Sequence, residues 1–218
     1  MSLSVVLPHR NMPHWLQRCW RLLDEQFYPP DEVIILDNRS EKYKRETVSH
    51  YCRSKQTLTW VFNSRDLGYA ESVNRGFRIA QTEWVSLISC DDSFDKFYLN
   101  TLMEHAKAGV AFVTTNAVKP LGPDIVAHNY LCGPCLYHRQ TFLDMGGYRV
   151  PAEGCEGLVD WDFWIRAWKA GLQGVCLPEN LYVWTQRPDS LSKFPSNEAY
   201  LEAKRKVWAA NGLTGVLP

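Results

Sequence analysis

Apolar and polar positions change period in a regular order through the first hundred residues. Residues 4–7 form a short apolar run closed by Pro8, which reads as a buried strand. Trp15, Arg18, Cys19, Leu22, Leu23 and Gln26 recur at helical spacing until Pro29 and Pro30 break the pattern. Residues 33–36 predict a second buried strand, stopped by the turn-forming series Asp37, Asn38, Arg39 and Ser40. A charged helix is expected over 41–53, a third strand over 58–62, a third helix over 69–80 and a fourth strand over 84–89. This βαβαβαβ order implies an α/β fold with a mostly parallel central sheet, right-handed crossovers and flanking helices. Asp37 and Asp91 then belong to one edge of that sheet.

The pattern is less regular after Ser93. It predicts a helix over 96–108, short strands over 110–114 and 132–137, an aromatic-rich helix over 159–170 stopped by Gly171, short strands over 174–177 and 182–184, and a last helix over 197–209. No repeat or linker separates the halves, and we expect one domain over 1–218.

Composition narrows the function classes. At 45% hydrophobic and 13% aromatic residues, the 218-residue chain has material for a real core. Its 24 basic and 24 acidic residues balance, which argues against a sequence-independent grip on nucleic acid, an interaction that needs many Lys and Arg on phosphate. The first apolar run has no cationic leader and is too short for a signal peptide or a membrane span. The expectation is a soluble, cytoplasmic protein, with peripheral membrane contact left open and no transmembrane segment. Seven cysteines, an odd number in a chain of this size, fit reduced thiols better than a disulfide framework.

The candidate chemistry starts at the fourth strand, which runs into Cys90, Asp91, Asp92 and Ser93. Open α/β sheets bind ligands at their carboxyl edge. Two hard oxygen donors there suit Mn²⁺ or Mg²⁺, ions that commonly keep their other positions for water and phosphate oxygens, which points to a nucleoside diphosphate.

Five segments in order then resemble the family 2 glycosyltransferases of GT-A fold, the Rossmann-like nucleotide-diphospho-sugar transferases. They are Val5-Val6-Leu7-Pro8-His9-Arg10-Asn11; Ile34-Ile35-Leu36-Asp37-Asn38-Arg39-Ser40; Asp66-Leu67-Gly68-Tyr69-Ala70 with Asn74-Arg75-Gly76; Cys90-Asp91-Asp92; and, in the second half, Met145-Gly146-Gly147-Tyr148 followed by the helix from Val159 to Gly171. The resemblance covers about residues 4–192. It implies a nucleotide-sugar-binding half over about 1–93 and an acceptor-binding half over about 94–218. It also implies an inverting transfer of a sugar from a nucleotide sugar, most naturally a UDP-sugar, to an acceptor hydroxyl of a carbohydrate or glycoconjugate.

By that resemblance Pro8, His9, Asn11, Asp37, Asn38, Asp66, Gly68, Asn74, Asp91 and Arg187 belong to the nucleotide-sugar site, and Asp92 with Asp91 to the metal. The family often writes Asp-x-Asp-Asp where this chain has Ser89 first, so a three-carboxylate arrangement is not available. Arg39 stands where the family commonly has Gly; if the turn needs φ > 0, either Arg39 is strained there or the turn differs.

Inverting transfer needs a base for the acceptor proton. Asp160 matches the family's base position, and Asp162, about 200° further round the helix, points elsewhere. Val159 replaces the usual Glu before the base, so Glu153 or Glu156 is a candidate to compensate or to act as base itself. Asp160 also reads simply as a helix N-terminal acid that favours the macrodipole. Trp161, Trp164 and Trp168 share the spacing of a buried helix face, although Trp161, beside the base, is also placed to stack on an acceptor sugar, with Glu156 as a second acceptor contact.

Two other functions compete. Cys132-Gly133-Pro134-Cys135 spells a thioredoxin active-site tetrapeptide, which raises a thiol-disulfide oxidoreductase. Its strand-like continuation and the sheet upstream argue against that fold. A non-catalytic carbohydrate-binding protein of the same fold differs by only one or two residues.

Overall fold

The computed structural model describes residues 1–42, 44, 46 and 58–213. β1 (Leu3–His9), β2 (Glu32–Asp37), β3 (Leu58–Phe62) and β4 (Trp84–Leu87) alternate with α1 (Pro13–Asp24) and α2 (Gly68–Ile79). The helix expected over 41–53 lies, beyond residues 42, 44 and 46, outside the described residues. After β4 come β5 (Ser93–Phe94), α3 (Tyr98–Glu104), β6 (Phe112–Thr114), a 3₁₀ turn at Pro123–Val126, β7 (Leu136–His138) and α4 (Arg139–Asp144). A second 3₁₀ turn at Glu156–Leu158 leads into α5 (Val159–Lys169), then β8 (Gly174–Cys176), β9 (Tyr182–Val183) and α6 (Asn197–Ala210).

The main sheet has the order β3-β2-β1-β4-β7-β6-β8. β1 pairs parallel to β2 and β4, and β2 to β3, while β7 enters antiparallel between β4 and β6. The sequence signals for a parallel α/β sheet therefore correspond to its first half, and β7 is the exception to its direction. β5 and β9 make a separate two-stranded ribbon at the carboxyl edge, with Ser93 opposite Val183 and Phe94 opposite Tyr182.

Both faces of the sheet are covered, which is why the strands read as unbroken apolar runs. Val6, Ile34 and Leu36 face a core built with α2, α4, α5 and α6, and Leu3, Val5, Leu7, Val33 and Ile35 face one built with α1 and α3. α2 lies so close to β1 that a Cβ on Gly76 would fall 2.6 Å from Val6 Cγ1. This tight seat fixes where α2 presents its N-terminus, and with it Gly68 and Tyr69, at the edge where the strands end.

Several expected boundaries shift. The strand expected over 132–137 is confined to residues 136–138, and residues 132–135 are irregular, because Gly133 and Pro134 interrupt any ladder. The helix expected over 96–108 spans only α3. α4 and the ribbon strand β5 carried no periodic signal long enough to be seen.

Candidate active site

The ribbon of β5 and β9 builds the acidic centre. Tyr182 enters the core from β9, and its hydroxyl donates to Asp92 Oδ2 at 2.7 Å, while the amide of Thr185 donates to Asp92 Oδ1 at 2.7 Å. The amide of Ser89 donates in turn to the Tyr182 oxygen at 3.1 Å. Burial pushes the Asp92 carboxyl up to about 6, against those bonds from Thr185 and Tyr182, which pull it down. Asp91, half-buried, pairs with Arg187, whose Nε is 2.8 Å from Asp91 Oδ2. Oδ1 of Asp91 has no donor among the described residues.

The segment after β9 then crosses the sheet edge as a strap. Arg187 also places Nη1 against Met12 Sδ at 2.7 Å, which ties the strap to the loop after β1. Further along, the Leu191 carbonyl packs onto Gly157, where a side chain would overlap it. The strap therefore runs from Asp92 and Asp91 to the turn that opens α5, and a glycine at 157 is what lets it close.

Asp160 stands at the start of α5. Its Oδ1 accepts from the Trp161 amide at 2.8 Å and its Oδ2 from Asn129 Nδ2 at 3.1 Å. Burial raises its pKa, partly offset by the bonds from Asn129 and Trp161. Tyr69 and Cys132 lie within the electrostatic reach of both Asp160 and Asp92.

Asp162 points away, fully buried. It accepts from Arg149 Nε and Nη2, each at 2.9 Å, from Arg166 Nε at 2.8 Å and from Asn211 Nδ2 at 2.8 Å. Burial would raise its carboxyl, but the Arg149 bonds and the Arg166 charge outweigh burial and hold it below the usual range. Arg166 also donates to the Met145 and Gly147 carbonyls, both at 2.6 Å. One carboxylate thus locks the Gly146-Gly147 turn, α5 and the end of α6 together.

The nucleotide-side candidates form a second group. His9 and Asp37 are register partners at the ends of β1 and β2, both buried. Asp37 Oδ1 accepts from the Ser40 amide at 2.8 Å, while Asp37 Oδ2 and His9 Nε2 have no hydrogen-bond partner among the described residues. Burial lowers the His9 imidazole to about 4, despite the Asp37 charge, so the ring is neutral at pH 7. Arg39 takes φ +61°, a left-handed conformation that strains a non-glycine residue. Asn38 bridges to Asp66 Oδ1 at 2.7 Å and accepts from the Leu67 amide at 2.9 Å. Asp66 also accepts from the Gly68 amide and Arg10, and the Gly68 bond is the chief reason its carboxyl is lowered. Asn11 is occupied by Ser40 and Glu41. Pro8 is buried at the end of β1, and Glu156 is exposed on the turn before α5.

Two candidates are committed to packing contacts. The Asn74 side chain donates to the Tyr148 carbonyl at 2.7 Å and accepts from the Tyr148 amide at 2.8 Å, holding the Gly147 turn, where φ is +63°. Trp161 sits in the core. It is 1% exposed, and its Nε1 donates to the Ile125 carbonyl, because helical spacing puts it on the packed face with Trp164. The exposed aromatic beside the acids is Trp184, at 55% exposure and one residue before the Thr185 amide that binds Asp92. Its signal was faint, a tryptophan at the end of a short strand.

The thiol pair does not resemble a redox site. All six described cysteines are free. Burial pushes Cys132 up to about 11 and raises Cys135 well above the usual thiol value, the reverse of an activated thiol, and neither opens a helix.

A bound divalent ion fits the acidic centre by its donor set. Asp91 Oδ1 has no protein donor among the described residues, and the raised Asp92 carboxyl marks a buried charge that a cation would compensate. No cluster of three or more His, Cys, Asp or Glu ligands exists among the described residues, so the remaining positions would fall to water and phosphate.

The family model of Glycosyl transferase family 2 matches residues 4–146. Among curated relatives, the amylovoran biosynthesis glycosyltransferase AmsB of Erwinia amylovora is 31% identical over 98 residues, 44% of this chain and 33% of that protein. The GalNAc(5)-diNAcBac-PP-undecaprenol beta-1,3-glucosyltransferase of Campylobacter jejuni is 25% identical over 118 residues, 54% of this chain and 38% of that one. The chain thus spans a little over a third of that relative's length. Among solved structures, the mannosyltransferase PcManGT from Pyrobaculum calidifontis, in complex with GDP-Man and Mn²⁺, superposes with a TM-score of 0.72 at 18% identity, covering 99% of this chain and 65% of that one. S. aureus TarS 1-349 with UDP-GlcNAc gives 0.71 at 18% identity, covering 96% and 66%. At that identity the likeness is one of fold, and the fold is that of GT-A glycosyltransferases.

Proposed function

Because this chain belongs to glycosyl transferase family 2, we propose that it transfers a sugar, with inversion, from a UDP-sugar to a hydroxyl of a carbohydrate or glycoconjugate acceptor. The observation that carries this reading is that Tyr69 and Cys132 lie within the electrostatic reach of both Asp92, after β4, and Asp160, at the start of α5, with the strap running from Asp92 to the Gly157 turn.

The acceptor oxygen attacks the anomeric carbon, the bond from that carbon to the diphosphate oxygen breaks, and the nucleoside diphosphate leaves with the electron pair. Asp160 takes the acceptor's proton. Burial favours that role, since a carboxylate with a raised pKa is a stronger base. Arg187 is placed to follow the leaving charge, because the guanidinium that now pairs with Asp91 can turn to a diphosphate oxygen. Asp91 and Asp92 would hold Mn²⁺ or Mg²⁺, which when bound neutralises diphosphate charge. Asp37 keeps one acceptor oxygen unpaired among the described residues, beside the neutral His9. That supports a base with a single imide N–H, as in uracil, over guanine, whose N–H and NH₂ edge suits two carboxylate oxygens. Trp184 and Glu156 supply an exposed ring and an exposed carboxylate for the acceptor.

The test is a panel of nucleotide sugars with Mn²⁺ or with EDTA, scored by release of nucleoside diphosphate and by thermal shift. UDP-sugars should raise the melting temperature and release UDP with metal only, and Asp92→Ala should abolish the metal dependence while keeping the fold. UDP affinity that is the same with and without EDTA would remove the metal from this reading. Binding without release from any donor would favour the non-catalytic carbohydrate-binding protein.

A further inference from the structure

Residues 125–127 end the first 3₁₀ turn with three consecutive carbonyls, and each is capped by a different side chain. Trp161 Nε1 donates to Ile125 O, Trp208 Nε1 to Val126 O at 2.6 Å, and Lys204 Nζ to Ala127 O at 3.2 Å. Trp161 comes from α5, Trp208 and Lys204 from α6. Lys204 is 6% exposed and lies over the rings of Trp161 and Tyr200, at 5.3 and 5.6 Å. Backbone carbonyls at a helix end have no intrahelical partner, and supplying one to each of three in a row removes most of the freedom of the adjoining chain.

Asn129 comes two residues after this clamp, and its Nδ2 donates to Asp160 Oδ2. With the Trp161 amide on Oδ1, each oxygen of Asp160 receives one N–H and keeps a lone pair. The titratable groups that feel the Asp160 charge are Tyr69 on α2, Cys132 and Cys135 before β7, and Tyr148 after α4. Burial pushes all four up, so they are uncharged at neutral pH. On the α6 side the charged group is Lys204, whose ammonium is committed to Ala127 O. Asn129 is therefore the one side-chain donor that reaches the carboxylate among the described residues.

We propose that Asn129 is a positioning residue for Asp160, carried to it by the clamp that α5 and α6 close on residues 125–127. The role rests on the reading of Asp160 as the base. Asn129 fixes the carboxylate's rotation so that a lone pair of Oδ2 faces the acceptor hydroxyl, and it favours the ionised form that burial opposes.

The test titrates Asp160 in the free protein by carboxyl ¹³C NMR with labelled aspartate, assigning its resonance by the loss in Asp160→Asn. Asn129→Ala should move the midpoint up by about one pH unit, as expected for losing a hydrogen bond to a charged group, and the isosteric Asn129→Asp should move it further. Both should release UDP roughly 10-fold more slowly from the donor that the nucleotide-sugar panel identifies, with UDP affinity unchanged. A midpoint unmoved in both variants overturns the proposal whatever the turnover. Wild-type turnover by Asp160→Asn overturns instead the reading of Asp160 as base, and this role with it.

Discussion

Arg187 and Asp91 form an ion pair of 2.8 Å between the strap and the turn after β4, with 19% and 14% of their side chains exposed. A pair this sheltered is stronger than a surface one, and it holds the guanidinium at the carboxyl edge, where the proposed diphosphate would lie.

Arg187→Met should therefore weaken UDP binding by roughly 10- to 100-fold, the range for losing a hydrogen bond to a charged group. Calorimetry with UDP and Mn²⁺ measures it. An unchanged dissociation constant would show that Arg187 serves only to close the strap.

Asp160→Asn keeps size and hydrogen bonding but cannot accept a proton. Turnover should fall by roughly 10²- to 10⁴-fold. Donor affinity should stay level, because in the proposed role the lost group meets the acceptor rather than the nucleotide. If Glu156→Gln is the inactive variant and Asp160→Asn is not, the base lies on the turn before α5.

Asp162 sets an acid limit on stability. Its carboxyl is depressed in the folded protein, so its contribution is fully present above the unfolded carboxylate pKa of about 3.9 and fades as pH falls through the lower folded value. Urea unfolding between pH 5 and 3 should show a smaller acid loss in Asp162→Asn than in the wild type. At pH 7, Asp162→Ala should cost about 3–5 kcal/mol, since two arginines lose their common partner. A cost below about 1 kcal/mol would mean that the arginines find water instead.

Cys132 and Cys135 should be dispensable for chemistry. Replacing both with Ser should leave sugar transfer largely intact, and the wild-type thiols should alkylate slowly at pH 7, given a Cys132 thiol pushed up to about 11. Insulin reduction by the wild type that disappears in the double mutant would contradict this.

The order of apolar runs and helical stretches was enough to determine β1 to β4, α1, α2 and the parallel half of the sheet. A strand buried on both faces writes its burial into consecutive residues, and an amphipathic helix writes its face into a period. The same locality made the acids legible: Asp37, Asp91 and Asp92 follow strands, and Asp160 opens a helix. Nothing local, however, says what a side chain meets across the fold. Asn74 and Trp161 carry residue types that suit a ligand, and packing gave them instead to Tyr148 and Ile125. Conversely Asn129 and Gly157 have no pattern around them, Trp184 only a short strand, and all three acquire their places from chain distant in sequence: α5, the strap, and the ribbon of β5 and β9. The sequence alone thus determined which groups reach the carboxyl edge, because that depends on period and order. Only the tertiary structure decided which of them face one another, because long-range contacts between irregular segments depend on the shape of everything between.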